Sequence, residues 1–267
     1  MPRVFVESVG LFATGLPDWN TAQPVLRGEQ PYLASDIPLP APEWLPPAER
    51  RRTSDIIKLA LCAGREALES INQPIADTYT VFTSSGGSGE IINQIGESLA
   101  SAERDVSPTR FHNSVHNAPA GYWGIATRNE WPSTSLCAYD ASFAAGLLES
   151  IAQAHKTEQP VLLLAHDLRY PEPLNGAQHI SGAFSVALLL SATTRAAAQF
   201  SLDVDIAKPD AVSTSMNDTA LEQFRRLNPA ARSLPLLVAL AAHRNDRIFI
   251  ESTNGAQLEI QVNIVNK

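Results

Sequence analysis

The chain is short of sulfur and of positive charge. Only two cysteines, Cys62 and Cys137, occur in 267 residues, too few for a disulfide framework. Each sits in an apolar stretch, which fits buried free thiols in a reducing compartment; a single bridge between them stays open. Lys and Arg number 20 against 28 Asp and Glu, a formal net charge of −8, and that excess argues against nucleic acid as a partner. The one basic run, Arg50-Arg51-Arg52, is short and reads as the solvated start of a helix. No apolar run is long enough to span a bilayer, and the first residues, "MPRVFVESVGLF", contain no signal-peptide core. The expected location is cytoplasmic, without a membrane span. A Gly/Ser linker and a block of like charge are also missing, so one domain is expected over residues 1–267. No "G-x-S-x-G" occurs. "SSGGSGE" has neither the lysine of a phosphate loop nor dinucleotide spacing, and reads as a tight strand-to-helix turn.

What is present is an ordinary globular composition, 44% hydrophobic and 18% charged, enough for one substantial core. "RVFVESVGLFA" predicts a first strand. The proline-rich run 31–47, "PYLASDIPLPAPEWLPP", predicts an extended surface segment packed down through Tyr32, Leu33, Ile37, Leu39 and Trp44. From 51 to 71, Ile56, Leu59, Ala60, Ala63, Ala67, Leu68 and Ile71 form one helical stripe, with Thr53 or Ser54 as cap. "TYTVFTSSGGSGE" predicts a buried strand running into the glycine loop, and "IINQIGESLASA" a helix. His112 and His116 are four apart, as a metal would use. No carboxylate or cysteine stands near them, and Pro119 interrupts the run. No metal site is read there; a structural or interface role is expected.

"STSLCAYDASFAAGLLES" predicts a buried strand, a sharp turn holding Asp140, and a helix with Phe143, Ala144, Leu147, Leu148 and Ile151 on one face. "QPVLLLAHD", "AFSVALLLS" and "AAQFSLDVDI" predict three more strands, the first covered on both faces. After a polar stretch at 207–217, "TALEQFRRL" and "SLPLLVALAA" predict helices, and a closing hairpin turns at Asn254-Gly255. Strands and helices alternate early and strands dominate late, which predicts a layered α/β/α body.

The run 107–142 resembles the β-ketoacyl synthases, which have the thiolase fold. Ser107-Pro108 match that family's Ser-Pro pair, and Asn117 with Gly121 its Asn-x-x-x-Gly. Trp131-Pro132-Ser133 opens the strand that leads to the family's Thr-Ala-Cys elbow. Placed without gaps, Ala138-Tyr139-Asp140 falls on Thr-Ala-Cys, so Asp140 takes the nucleophile position. The early helix, the glycine loop, "STNGAQLEI" and "VLLLAHD" (where the family has a strand ending in Gly-Gly) are similar to family segments as well. The resemblance implies a thiolase-like fold in which 1–200 keeps the N-terminal half and 201–267 is a reduced C-terminal part. The roughly 80 residues between "VLLLAHD" and the last hairpin are too few for a second βαβ unit with its loops. The family's His-Gly-Thr and Gly-His motifs are absent, and His179 and His243 stand in neither.

A carboxylate is a poor acyl acceptor and lacks the polarisable sulfur of a thiolate. At the start of a helix, Asp140 is expected to cap the first amides instead. The resemblance therefore implies a non-catalytic subunit of the chain-length-factor type, similar to the reduced ketosynthase-like proteins of aryl polyene clusters. Such a subunit pairs with an active ketosynthase and shapes its acyl tunnel in type II polyketide or aryl polyene (fatty-acid-like) biosynthesis. It meets acyl carrier protein through that complex and needs no cofactor or metal. In the family, the segment after the Ser-Pro pair reaches across the dimer to the partner's acyl pocket. That implies tunnel and interface roles for Phe111, Asn113, Ser114, Val115 and Asn117. The strand before the elbow pairs with its equivalent in the partner, which here means Ser133–Ala138 with Ser135 at its middle. Two other readings stay open. One is a stand-alone acyl-thioester transferase, hydrolase or decarboxylase using Cys137 or Ser142, although Cys137 beside Leu136 shows no base and reads as a buried, inert thiol. The other is a stand-alone binding protein.

Overall fold

In a computed structural model, which describes residues 2–71, 78–208 and 210–265, the apolar runs become strands of one sheet. Pro209, in the polar stretch 207–217, lies outside the described residues. The strands are β1 (Arg3–Ala13), β2 (Tyr79–Thr83), β3 (Ser133–Leu136), β4 (Val161–Leu168), β5 (Ala183–Ser191), β6 (Phe200–Ile206), β7 (Asp246–Glu251) and β8 (Gln257–Ile264). The helices in the first part are α1 (Trp19–Leu26), α2 (Pro47–Arg50), α3 (Asp55–Glu69), α4 (Gly89–Ala100), α5 (Pro108–Asn113) and α6 (Ala118–Thr127). After the third strand come α7 (Ser142–Thr157), α8 (Leu174–Ala177), α9 (Thr219–Leu227) and α10 (Leu234–Ala241). The sheet is eight-stranded, in the order β3-β2-β4-β5-β1-β6-β8-β7. β2 runs parallel to β3 and β4, and the other neighbours are antiparallel.

Period-two alternation sorts the side chains into two cores. On β4, Val161, Leu163 and Ala165 face one core with Phe143, Leu147 and Ile151 of α7 and Leu236, Leu237 and Leu240 of α10. Leu162 and Leu164 face the other, with Ile56, Leu59, Ala63 and Leu68 of α3 and Trp123 of α6. Helices thus cover both faces of the sheet, the α/β/α layering expected. Each fully buried leucine contributes about 1.5–3 kcal/mol, so the paired cores dominate the stability. Gly10 lets α3 lie directly on β1, because a Cβ there would overlap the Ala63 carbonyl oxygen. Glu66 fastens the same contact: its carboxylate accepts the Leu11 and Trp19 amides at 2.7 and 2.8 Å. Burial raises the pKa of that carboxyl.

Several local expectations change. The long helix begins at Asp55, and the basic run lies at the end of α2 and in the connection after it, with Arg51 and Arg52 exposed. Ser54 occupies the cap position of α3, but its buried hydroxyl has no partner. Along the proline-rich strap, Ile37, Leu39 and Trp44 pack on the second core while Leu33 is 71% exposed. Pro119 stands in the first turn of α6, where its missing N–H costs nothing. The closing hairpin turns where expected, with Asn254 and Gly255 at positive φ.

The strand before the elbow is not buried. β3 is an edge of the sheet, bonded only to β2, and its side chains are exposed or half-exposed. The Pro132 and Leu136 carbonyls accept from Thr80 and Ser84. Backbone groups alternate along a strand, so those of Ser135 point to the open edge.

Candidate functional site

The parallel strands β2, β3 and β4 end side by side, and the loops after them meet. From β2 come Ser84, Ser85 and the glycine loop. From β3 come Cys137, Ala138, Tyr139 and Asp140. From β4 come His166, Asp167 and, just beyond, Tyr170. The loop before α6 adds His116, and the short 3-10 turn Ala230–Ser233 adds Arg232.

Ser85 and Asp167 form the best-connected pair. The Ser85 amide and hydroxyl both donate to Asp167 Oδ1, at 2.8 and 2.6 Å, and both residues are buried. Asp167 Oδ2 is buried without a partner. Burial pushes the Asp167 carboxyl up to about 7, with the Asp140 charge adding to the rise, against the Ser85 hydrogen bonds that pull it down. The neighbouring His166 points to the opposite face of β4, its ring edge-on to Phe82. Burial pushes it down to about 3, with His116 adding to the fall, and its Nδ1 is unpartnered. In "SSGGSGE", Gly87 takes the positive φ of the expected tight turn, at 72°, while Gly86 and Gly89 serve packing, since a Cβ on either would overlap Tyr170. His116 Nε2 lies 3.0 Å from Ser84 Oγ, which also accepts the Gly87 amide at 3.0 Å. His112, four residues earlier, is exposed on α5, so the two imidazoles share no helix face.

The elbow differs from the expected helix cap. A 3-10 turn, Tyr139–Ala141, intervenes between β3 and α7, and the N-cap position falls on Ala141. Asp140 caps nothing. Its side chain is 69% exposed and lies 3.6 Å from Arg232 Nη2, while Arg232 Nη1 pairs with Glu251 at 2.9 Å. A pair this exposed is worth about 1 kcal/mol or less. The residue that takes the left-handed turn conformation is Tyr139, at φ 49°. The elbow is closed instead by Ser142, whose hydroxyl accepts the Ala138 amide at 3.0 Å and donates to the Tyr139 carbonyl at 2.6 Å. That hydroxyl is buried and committed. Cys137 departs further from expectation: it is exposed, not buried, because the edge strand leaves it uncovered. Its thiol donates to the Ser85 carbonyl. Cys62, by contrast, is half-buried, and burial pushes its thiol up to about 12. Both cysteines are free.

The segment after Ser107-Pro108 forms α5 and a loop. Asn113 is buried and donates to the Arg52 carbonyl at 2.6 Å. Ser114 follows α5 and donates to the Phe111 carbonyl at 2.8 Å. Phe111 and Val115 are 68% and 52% exposed, and Asn117 is exposed ahead of α6. Sequence reasoning missed Ser85, Asp167, Tyr170 and Arg232 as members of one cluster. A signal existed: a His-Asp pair closing a fully apolar strand means buried polar groups that need partners.

With that geometry in place, the comparisons with known proteins fall in one direction. The sequence profile of the family described as beta-ketoacyl synthase, N-terminal domain, matches residues 25–253. No curated protein sequence matches. Among solved structures, a ketosynthase in complex with its chain length factor from Xenorhabdus doucetiae aligns at a TM-score of 0.72 and 23% identity, over 97% of this chain and 98% of that one. A type II polyketide synthase acyl carrier protein in complex with its ketosynthase, bound to the hexaketide, aligns at 0.74 and 12% identity, over 99% of each chain. A keto synthase-chain length factor, PfaC, aligns at 0.63 and 9% identity over 100% of this chain but only 43% of its own. At these identities the likeness is one of fold. Among the described residues, no helix is long and apolar enough to cross a membrane.

Proposed function

The chain belongs to the β-ketoacyl synthase N-terminal-domain family, and from that premise we propose that it is a non-catalytic subunit of the chain-length-factor type. It pairs with an active ketosynthase and shapes that partner's acyl tunnel, in type II polyketide or aryl polyene biosynthesis, and it meets acyl carrier protein through the complex. Residues 1–200 serve as the thiolase-type half and 201–267 as the reduced remainder. The observation that carries the reading is the elbow. Asp140, which the ungapped sequence placement sets on the family's cysteine, is exposed and paired with Arg232. The nearby thiol and hydroxyl, Cys137 and Ser142, are hydrogen-bonded to backbone groups, with no imidazole bonded to either among the described residues. A nucleophile without a base is not activated.

The open edge of β3 supports the pairing. Its outward backbone groups offer a template for a strand from another chain. Just before and just after it in the chain stand the exposed side chains Trp131 and Tyr139. Apolar exposure of this kind marks an interaction surface. In this arrangement Phe111, Ser114, Val115 and Asn117 reach the partner's acyl pocket, Asn113 holds their segment to the Arg52 carbonyl, and Ser135 bonds across the twofold.

The test is co-expression with candidate ketosynthases, with the mass of the purified complex as readout. We expect a heterodimer, and we expect Ser135→Pro to weaken it by deleting an edge donor without breaking the β2–β3 ladder. A soluble monomer that binds none of them refutes the pairing. A second reading, acyl-thioester chemistry at Cys137, draws on the exposure of that thiol. Turnover of acyl- or malonyl-thioesters by the lone chain, abolished in Cys137→Ala, would establish it in place of the first.

A further inference from the structure

The proline-rich strap does not lie flush on the body. Beneath it is a cavity of about 730 Å³, within the range of about 300–1,000 Å³ typical of small-molecule sites. Its apolar wall is Phe12, Ile37, Leu39, Leu168 and Phe224. The strap is pinned at one end of this space. Tyr32 Oη donates to the Thr14 carbonyl and the Gly15 amide to the Ser35 carbonyl, each at 2.9 Å. Gly15 has φ +74°, and a Cβ there would overlap the Leu33 carbonyl oxygen. The roof is thus a built feature, held off the floor by specific contacts.

The charges around the cavity are Asp36, Asp55, Lys58, Arg169 and His179. Lys58 and Asp55 neutralise each other at 2.8 Å. His179 Nδ1 faces Asn175 Nδ2 at 3.1 Å. Arg169 is different. Its backbone is fixed at the end of β4 by a bond from its amide to the Gly182 carbonyl at 2.9 Å. Yet among the described residues its guanidinium has no hydrogen bond or ion pair. Ser181, also on the wall, has a buried hydroxyl without a partner. Leu168 and Arg169 also line a second cavity, of about 490 Å³, beside Gly87–Gly89, so Arg169 borders both spaces.

We infer that this cavity binds a small carboxylic acid with an apolar body, its carboxylate on Arg169 and its tail against the apolar wall. The planar fork of a guanidinium matches a carboxylate bidentately, and the aliphatic and aromatic wall removes the body from water. None of the residues lining it belongs to the elbow or to β3, and the inference stands whether or not the chain pairs with a ketosynthase.

Calorimetry on the full chain tests it, with decanoate as probe, decanol as the uncharged control and coenzyme A as a phosphate-bearing one. We expect decanoate to bind at a single site and decanol about tenfold more weakly, the value of one charge-assisted contact. Arg169→Gln should bring decanoate down to the affinity of decanol and leave decanol unchanged. Asp36→Asn should tighten decanoate a few-fold, because it removes the one carboxylate at the cavity outside the Lys58 pair. Both substitutions alter exposed side chains, and a melting curve verifies the fold. The inference is overturned by no decanoate binding at about 1 mM, by equal binding to Arg169→Gln, or by weaker binding to Asp36→Asn, which would indicate a cationic ligand. Coenzyme A binding that exceeds decanoate would assign the site to a phosphate instead.

Discussion

Asp167→Asn should change how stability depends on pH more than stability itself. In the native chain the Asp167 carboxyl titrates near about 7 in place of an ordinary 3.8. A group raised in this way contributes its full share below 3.8 and loses it as pH climbs through about 7. The difference corresponds to about 4 kcal/mol at most. His166, next along β4, has the opposite sign. It falls from 6.5 to about 3, so its contribution is present above 6.5 and is lost as pH falls. Between about pH 4 and 6.5 the two oppose each other, and the native chain should show a nearly flat profile there. Asparagine keeps an oxygen for the two Ser85 bonds and cannot ionise. The variant should therefore start at or below native stability near pH 4.5, where its buried amide lacks a partner. It should overtake the native chain as pH rises, and hold a constant advantage above about 7.5. Urea unfolding at several pH values between about 4.5 and 8, with slopes compared, measures this. A stability difference that stays constant across that range would refute the reasoning, because it would mean that Asp167 does not titrate there.

Three further outcomes follow from particular contacts. In the proposed pairing, Ser114→Trp should leave the heterodimer assembled and shift carrier-bound products to fewer extension cycles, read by mass spectrometry, since added bulk would overfill the proposed tunnel without removing a reacting group. In the lone chain, Cys137 should be alkylated well before Cys62, whose thiol burial pushes up to about 12; peptide mapping after brief iodoacetamide treatment separates them, and equal rates would contradict the exposed edge. Gly10→Ala should cost about 3 kcal/mol or more, because the new methyl meets the α3 backbone, which cannot step aside as a side chain would; chemical denaturation decides it.

How much of this was legible in the sequence depends on the range of the physics involved. Strand β4, the stripe on α3 and the Asn254-Gly255 turn are written in neighbouring residues, so periodicity and turn chemistry reveal them. The family likeness located the elbow for the same reason. The state of Cys137 was not legible. "STSLCA" looks like any inner strand until it is known that β3 has a neighbour on one side only, and sheet order is set by contacts far along the chain. The capping role expected of Asp140 failed because one 3-10 turn moved the N-cap position to Ala141. Ser85 and Asp167 are 82 residues apart, and no local pattern joins them.

The position of β1 between β5 and β6 carries a consequence for how the protein is made. Phe5 pairs with both Ser191 and Ser201, so this strand cannot acquire its first neighbour until the chain has been synthesised past Ser191, nor its second until past Ser201. At about 5–20 residues per second, β1 waits roughly ten to forty seconds with its apolar side chains uncovered. Its pairings are among the most distant in sequence that the fold contains, and loops of that length close slowly. The nascent strand is then a target for whatever else presents an unpaired edge, including another copy of itself. Fast synthesis, an abundant chaperone, or a partner made alongside would each raise the yield of folded protein without altering a single contact in the finished molecule.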